Sequence, residues 1–135
     1  MSVSANKLHM MVDDLFEGLL KKVFRGPYPL QPIFVERAVE KAIVENTKVF
    51  KSGVLPPNRI EILMSREDYA DFKKIEGVYR RQIEESAQSF IENEFREQTL
   101  GKTKPVITIK SDPDVPQGAV RVKADHHEES YGGLK

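Results

Sequence analysis

Two hydrophobic periods alternate along this chain, and each change of period marks an element. Val12, Leu15, Phe16, Leu19, Leu20, Val23 and Phe24 recur at a spacing of three and four. That spacing lines one side of a helix, with Asp13, Asp14, Glu17, Lys21 and Lys22 around the rest. In "RGPYPLQP" a glycine and three prolines end this helix, because proline has neither the amide donor nor the backbone freedom to continue it. Pro32 suits the first turn of a second helix, where its missing N–H costs nothing. Val35, Ala38, Val39, Ala42 and Ile43 give that helix its inward stripe, which the pattern carries to about Phe50.

The period then shortens to two. Pro56 and Pro57 hold the chain extended, and Ile60, Ile62 and Met64 alternate with Arg59, Glu61 and Leu63 as in a half-buried strand. Leu63 is the apolar residue on the outward side. Ser65, three positions before Asp68, resembles a capping box in which Asp replaces the longer Glu or Gln. The helix it opens is short, turns Tyr69 and Phe72 inward, and pauses at Gly77. A long helix follows from Val78 to about Leu100, with Tyr79, Ile83, Ala87, Phe90, Ile91, Glu94 and Phe95 along its stripe and Gly101 as its stop. "KPVITIKSDPDVPQGAVRVKAD" reads as an antiparallel hairpin with Ile107, Ile109, Val120 and Val122 on one side.

Together these elements predict an α+β fold in the order α-α-β-α-α-β-β, a small three-stranded mixed sheet with helices packed on one face. Residues 1–125 form one domain on this reading, and 126–135 a flexible tail or the start of a linker. At 135 residues the chain has the size of a single core. Its 21 basic and 21 acidic residues cancel, which weakens the case for binding nucleic acid, since that affinity depends on excess Lys and Arg. With no cysteine there is no disulfide, thiol nucleophile or thiolate metal site. The absence of a signal peptide core or a membrane-length apolar run leads to the expectation of a cytoplasmic protein without membrane insertion.

The sequence holds little that resembles catalytic machinery. Asp125, His126, His127, Glu128 and Glu129 are metal-binding residue types, but adjacent histidines on an extended chain point to opposite sides. Asp112 and Asp114 lack the remaining ligands of a calcium loop. His9 has no evident partner, and the eight glycines form no phosphate-binding loop. No metal, cofactor or catalytic residue is assigned, and the chain is read as a non-enzyme.

A binding surface is better supported. With Ile107, Ile109, Val120 and Val122 facing the helices, the other sheet face presents Arg59, Leu63, Lys110, Arg121 and Lys123, together with Glu61 and Thr108. These residues form a candidate interaction face. The alternative reading is a module that binds single-stranded nucleic acid on this open face, although the chain lacks the "GxxG" clamp of KH-type domains.

The opening amphipathic helix, "LQPIFVERAVEKAIVENTKVF", "LPPNRIEILMSREDYADF" and the closing "VITIKSDPDVPQGAVRVKAD" resemble the N-terminal domain of FhaA-like bacterial signalling proteins, from about Lys7 to Ala124. Pro57-Asn58 entering a strand, and Ser65 with Asp68 opening the next helix, are its most specific pieces. The resemblance implies a non-catalytic regulatory domain in a Ser/Thr-kinase and forkhead-associated pathway linked to cell-wall synthesis and division. It also implies that such a domain can be a kinase substrate, with a kinase or a forkhead-associated domain as protein partner. Thr103, in an expected turn, is the first candidate phosphoacceptor, with Thr99 and Thr108 beside it; a phosphate there would supply charge and acceptor oxygens for an Arg-paired contact.

Overall fold

In a computed structural model of the chain, residues 29–101 and 104–128 are described. The helix expected over Val12 to Phe24 lies outside them. The first described helix, α1 (Pro32–Asn46), has Pro32 in its first turn and buries Val35, Val39, Ala42 and Ile43. It ends at Asn46, not near Phe50, because side chains take up the carbonyls of its last turn. Asn46 Nδ2 donates to Ala42 O at 2.8 Å and Thr47 Oγ1 to Ile43 O at 2.6 Å. The chain then folds back as an antiparallel pair, β1 (Lys48–Phe50) and β2 (Gly53–Leu55).

β3 (Arg59–Met64) begins directly after the buried Pro56, Pro57 and Asn58. α2 (Arg66–Lys74) is capped by Ser65, whose Oγ accepts the Asp68 N–H at 3.1 Å. Only Ile75 separates it from α3 (Glu76–Phe95). The break therefore falls at Ile75, with φ −130° and ψ 35°, while Gly77 sits inside α3. α3 stops at Phe95 and not at Leu100, because Arg96 leaves the helix at φ 51° and starts a 3-10 turn (Arg96–Gln98). β4 (Val106–Ser111) and β5 (Val120–Asp125) complete the chain of elements.

The sheet order is β4-β3-β5, with β3 parallel to β4 and antiparallel to β5. The expected mixed three-stranded sheet is present, but β4 and β5 are not a hairpin. β3 lies between them, and the connection from Asp112 to Ala119 spans two strand spacings, roughly 10 Å, well within its reach. Ile60, Ile62, Met64, Ile107 and Ile109, with half-buried Val120, Val122 and Ala124, face Val35, Val39 and Ile43 of α1, Phe72 of α2 and Tyr79, Ile83, Ala87 and Ile91 of α3. Phe72 and Tyr79 meet edge to face at 5.1 Å between ring centroids, a favoured aromatic arrangement.

Two buried polar residues tie distant segments to this core. Asp68 accepts Leu30 N–H at 2.9 Å, Gly118 N–H at 2.7 Å and Ser65 O–H at 3.0 Å. The short Asp in place of Glu is thereby explained: besides the hydroxyl of the capping Ser65, its carboxylate holds the two long-range amides of Leu30 and Gly118. Asn58 holds the sheet's other end. Its amide donates to His127 O and accepts His127 N–H, both at 2.8 Å, while its backbone bonds Asp125 O at 3.0 Å and Val106 N at 2.8 Å. Sequence pattern assigns His126 and His127 to a tail, yet His127 is clamped by Asn58 and the His126 ring lies 3.0 Å from Leu55 O.

Candidate interaction face

Alternation along three paired strands dictates what the outer side of the sheet shows. Because Ile60, Ile62 and Met64 point to the helices, Arg59, Glu61 and Leu63 point away, and register places their neighbours on the same side. Arg59 lies between Val106 and Asp125, Glu61 between Thr108 and Lys123, and Leu63 between Lys110 and Arg121. The five sequence-predicted residues, Arg59, Leu63, Lys110, Arg121 and Lys123, therefore share one face. Val106, 47% exposed, and Asp125 join them; continuing the strict alternation to the strand ends is the signal that would have found both.

Leu63 differs from its expected role. It is 6% exposed and so offers almost no contact area. As the last but one residue of the central strand it has long side chains on both sides, and the aliphatic stems of Lys110 and Arg121 are placed to shield it while their charges remain in water. What the face presents is charge. Lys110 Nζ reaches Glu61 Oε2 at 3.4 Å. Among the described residues Arg59, Arg121 and Lys123 form no ion pair. A shallow depression of about 230 Å³ lies among Arg59, Glu61, Thr108, Lys110, Asp125 and His127.

The expected phosphoacceptors are not grouped. Thr108 is exposed on this face. Thr99 is half-buried, and its backbone bridges Val54 next to the Leu100 N–H to Val54 O bond of 2.8 Å. Thr103 lies outside the described residues, as does His9. Asp112 Oδ1 accepts Asp114 N–H at 2.9 Å, so this pair shapes a turn. Among the described residues no three His, Asp or Glu side chains come together as a metal site would need, and no helix is long and apolar enough to cross a membrane.

A second concavity, an open groove of about 910 Å³, runs between α3 and the segment leading into β4. Arg81, Arg96 and Lys104 line it together with Glu84, Glu85 and Glu92, so its charges are mixed. Arg80, which pattern reading passed over, guards the free edge of β4. Its Nη1 donates to Ile107 O at 2.7 Å, its other nitrogen pairs with Glu76 at 3.5 Å, and it stacks over Phe72.

A family model described as "FhaA, N-terminal domain" matches residues 6–123. Among solved structures, a chain titled "Rv0020c_Nter structure" shares the fold with a TM-score of 0.59 at 17% identity, over 82% of this chain and 80% of that one. Comparison with curated proteins finds no match.

Proposed function

We propose, from the premise that the chain belongs to the FhaA N-terminal domain family, that it is a non-catalytic adaptor domain of a forkhead-associated signalling pathway which docks protein partners on its open sheet face. The observation that carries this reading is the set of cations on that face: Arg59, Arg121 and Lys123 stand without ion pairs beside Lys110, on rigid strands, with Glu61 and Asp125 as the opposing charges. Such a surface steers an acidic or phosphorylated segment and fixes its register more than it supplies affinity. A Ser/Thr kinase or a forkhead-associated domain is the class of partner the family suggests. Thr103, with Thr99 and Thr108 as alternatives, is the proposed acceptor of a regulatory phosphate.

Affinity capture of the cognate forkhead-associated and kinase domains by the full chain tests the docking. Replacing Arg121→Glu and Lys123→Glu together is expected to weaken capture at least tenfold, and unchanged capture refutes the face. Phosphopeptide mapping after kinase treatment is expected to find a site between residues 99 and 111. The nucleic-acid alternative draws on the same cations, but α2 and α3 meet at the single residue Ile75, leaving no loop there to clamp a phosphate backbone. A salt-dependent mobility shift with short single-stranded RNA, lost in the same double variant, would turn the reading to that alternative.

A further inference from the structure

The β1–β2 ribbon departs from the rest of the surface in one respect. All three residues of β1 are exposed, and Val49, at 80%, and Phe50, at 52%, leave large apolar side chains in water next to one another. Lys48 and Lys51 flank them, and among the described residues neither lysine makes an ion pair. The ribbon is nevertheless firmly based. β2 is half-buried, Val54 bridges Thr99 and accepts Leu100 N–H, and Gly53 approaches the Gln98 carbonyl closely enough that a Cβ there would lie 2.4 Å from it. A fixed base carrying a Lys-Val-Phe-Lys tip is therefore a built feature of the fold.

The chemistry of an occupant can be narrowed. Successive residues on a strand point to opposite faces, so Val49 and Phe50 are exposed on opposite sides of the ribbon. A protein docked against one side would cover one of them and leave the other in water. Pairing along the free edge of β1 is opposed by the lysines, a usual device against strand addition, and a three-residue strand offers few backbone bonds to a partner. A fluid interface meets both sides at once. It accepts apolar side chains at the boundary of headgroup and acyl chain while anionic headgroups meet Lys48 and Lys51.

We infer that the β1–β2 ribbon is a peripheral docking element for an anionic lipid surface, with Val49 and Phe50 seated in the interface and Lys48 and Lys51 at headgroup level. The chain rests on the bilayer and does not cross it. This surface is separate from the cationic sheet face, so the two readings fail independently.

Sedimentation of the full chain with phosphatidylcholine vesicles, and with vesicles that are about one-third phosphatidylglycerol, tests the inference. The chain is expected to sediment with the anionic vesicles only, and several-fold less as salt rises from about 0.1 to about 0.5 M. Val49→Ser with Phe50→Ser, and separately Lys48→Glu with Lys51→Glu, should each reduce binding by about tenfold or more while leaving the circular dichroism spectrum unchanged. Arg121→Glu with Lys123→Glu should bind as the parent does. Absence of binding to anionic vesicles overturns the inference, as does equal binding by the Val49/Phe50 variant. Loss confined to the Arg121/Lys123 variant would reassign lipid contact to the sheet. Loss of self-association in the Val49/Phe50 variant, without vesicle binding by the parent, would make the occupant a second copy.

Discussion

Replacing Asp68 by alanine removes one carboxylate and strands three donors. The Ser65 hydroxyl can rotate to another acceptor, but the amides of Leu30 and Gly118, bonded at 2.9 and 2.7 Å, cannot move without moving their segments. Leu30 is 9% exposed and Asp68 4%, so little water reaches the first amide; Gly118 is half-buried and partly rescued by solvent. An amide bonded to a carboxylate contributes about 1.5–3 kcal/mol, and losing the buried partner costs the desolvation of what remains. About 3–4 kcal/mol is therefore expected for Asp68→Ala, a large share of the roughly 5–15 kcal/mol that holds a domain together. Asp68→Asn keeps the shape and one acceptor but turns an NH₂ towards a donor, and should cost about half as much. Urea unfolding followed by circular dichroism gives both numbers from midpoints at constant slope. Amide exchange should quicken at Leu30 and Gly118 in the variants. A loss under about 1 kcal/mol for the alanine variant, or unchanged protection of both amides, refutes the view that this carboxylate ties the two segments to α2.

Three further outcomes follow from local geometry. Gly53→Ala puts a Cβ against the Gln98 carbonyl at a φ of 156° that side chains rarely adopt, and should cost about 2 kcal/mol or more, with faster amide exchange at Leu100 as the specific signature. Gly77→Ala meets nothing within 4 Å and replaces a poor helix former near the start of α3, so thermal melting should show a gain of about 0.5 kcal/mol. Burial, then the nearby Asp68 and Glu36 carboxylates, push the Tyr79 phenol up to about 12 from an ordinary value of 10.0. The unfolded chain then loses its proton first, so stability is intact below pH 10 and falls between about 10 and 12, by roughly 2–3 kcal/mol in all. Tyr79→Phe should remove that decline, and alkaline unfolding curves of the two proteins check it.

Periodicity was informative wherever a residue's role depended on one face of one element. The stripes of α1 and α3 were readable because Val35, Val39, Ile83 and Ile91 repeat with the helix, and the open face was readable because Arg121 and Lys123 alternate with Val120 and Val122. What periodicity did not carry was anything decided between segments far apart. The insertion of β3 between β4 and β5 depends on long-range pairing to which the "SDPDVPQG" loop is indifferent. The end of α1 is set by Asn46 and Thr47 turning their side chains onto carbonyls, a competition that an apolar count does not register. Leu63 is hidden by neighbours on two other strands, so its position on the outward face correctly gave its direction and not its exposure. The Asp in the capping box was a visible departure from the usual pattern, and its physical reason emerged only once Leu30 and Gly118 were seen to converge on it.

The central position of β3 also governs the order in which this domain can assemble. Met64 pairs with Val120 and Arg59 with Asp125, 56 and 66 positions later, and the Asn58 latch closes on His127. On the ribosome, β3 therefore emerges long before its last neighbour exists, and one of its edges stays bare until Val120–Asp125 has been synthesised. Contacts of this range slow folding, and a bare apolar strand is a template for pairing with other molecules. A chain cut short before β5 would carry that risk permanently, while completion of the final strand both fills the edge and fastens it.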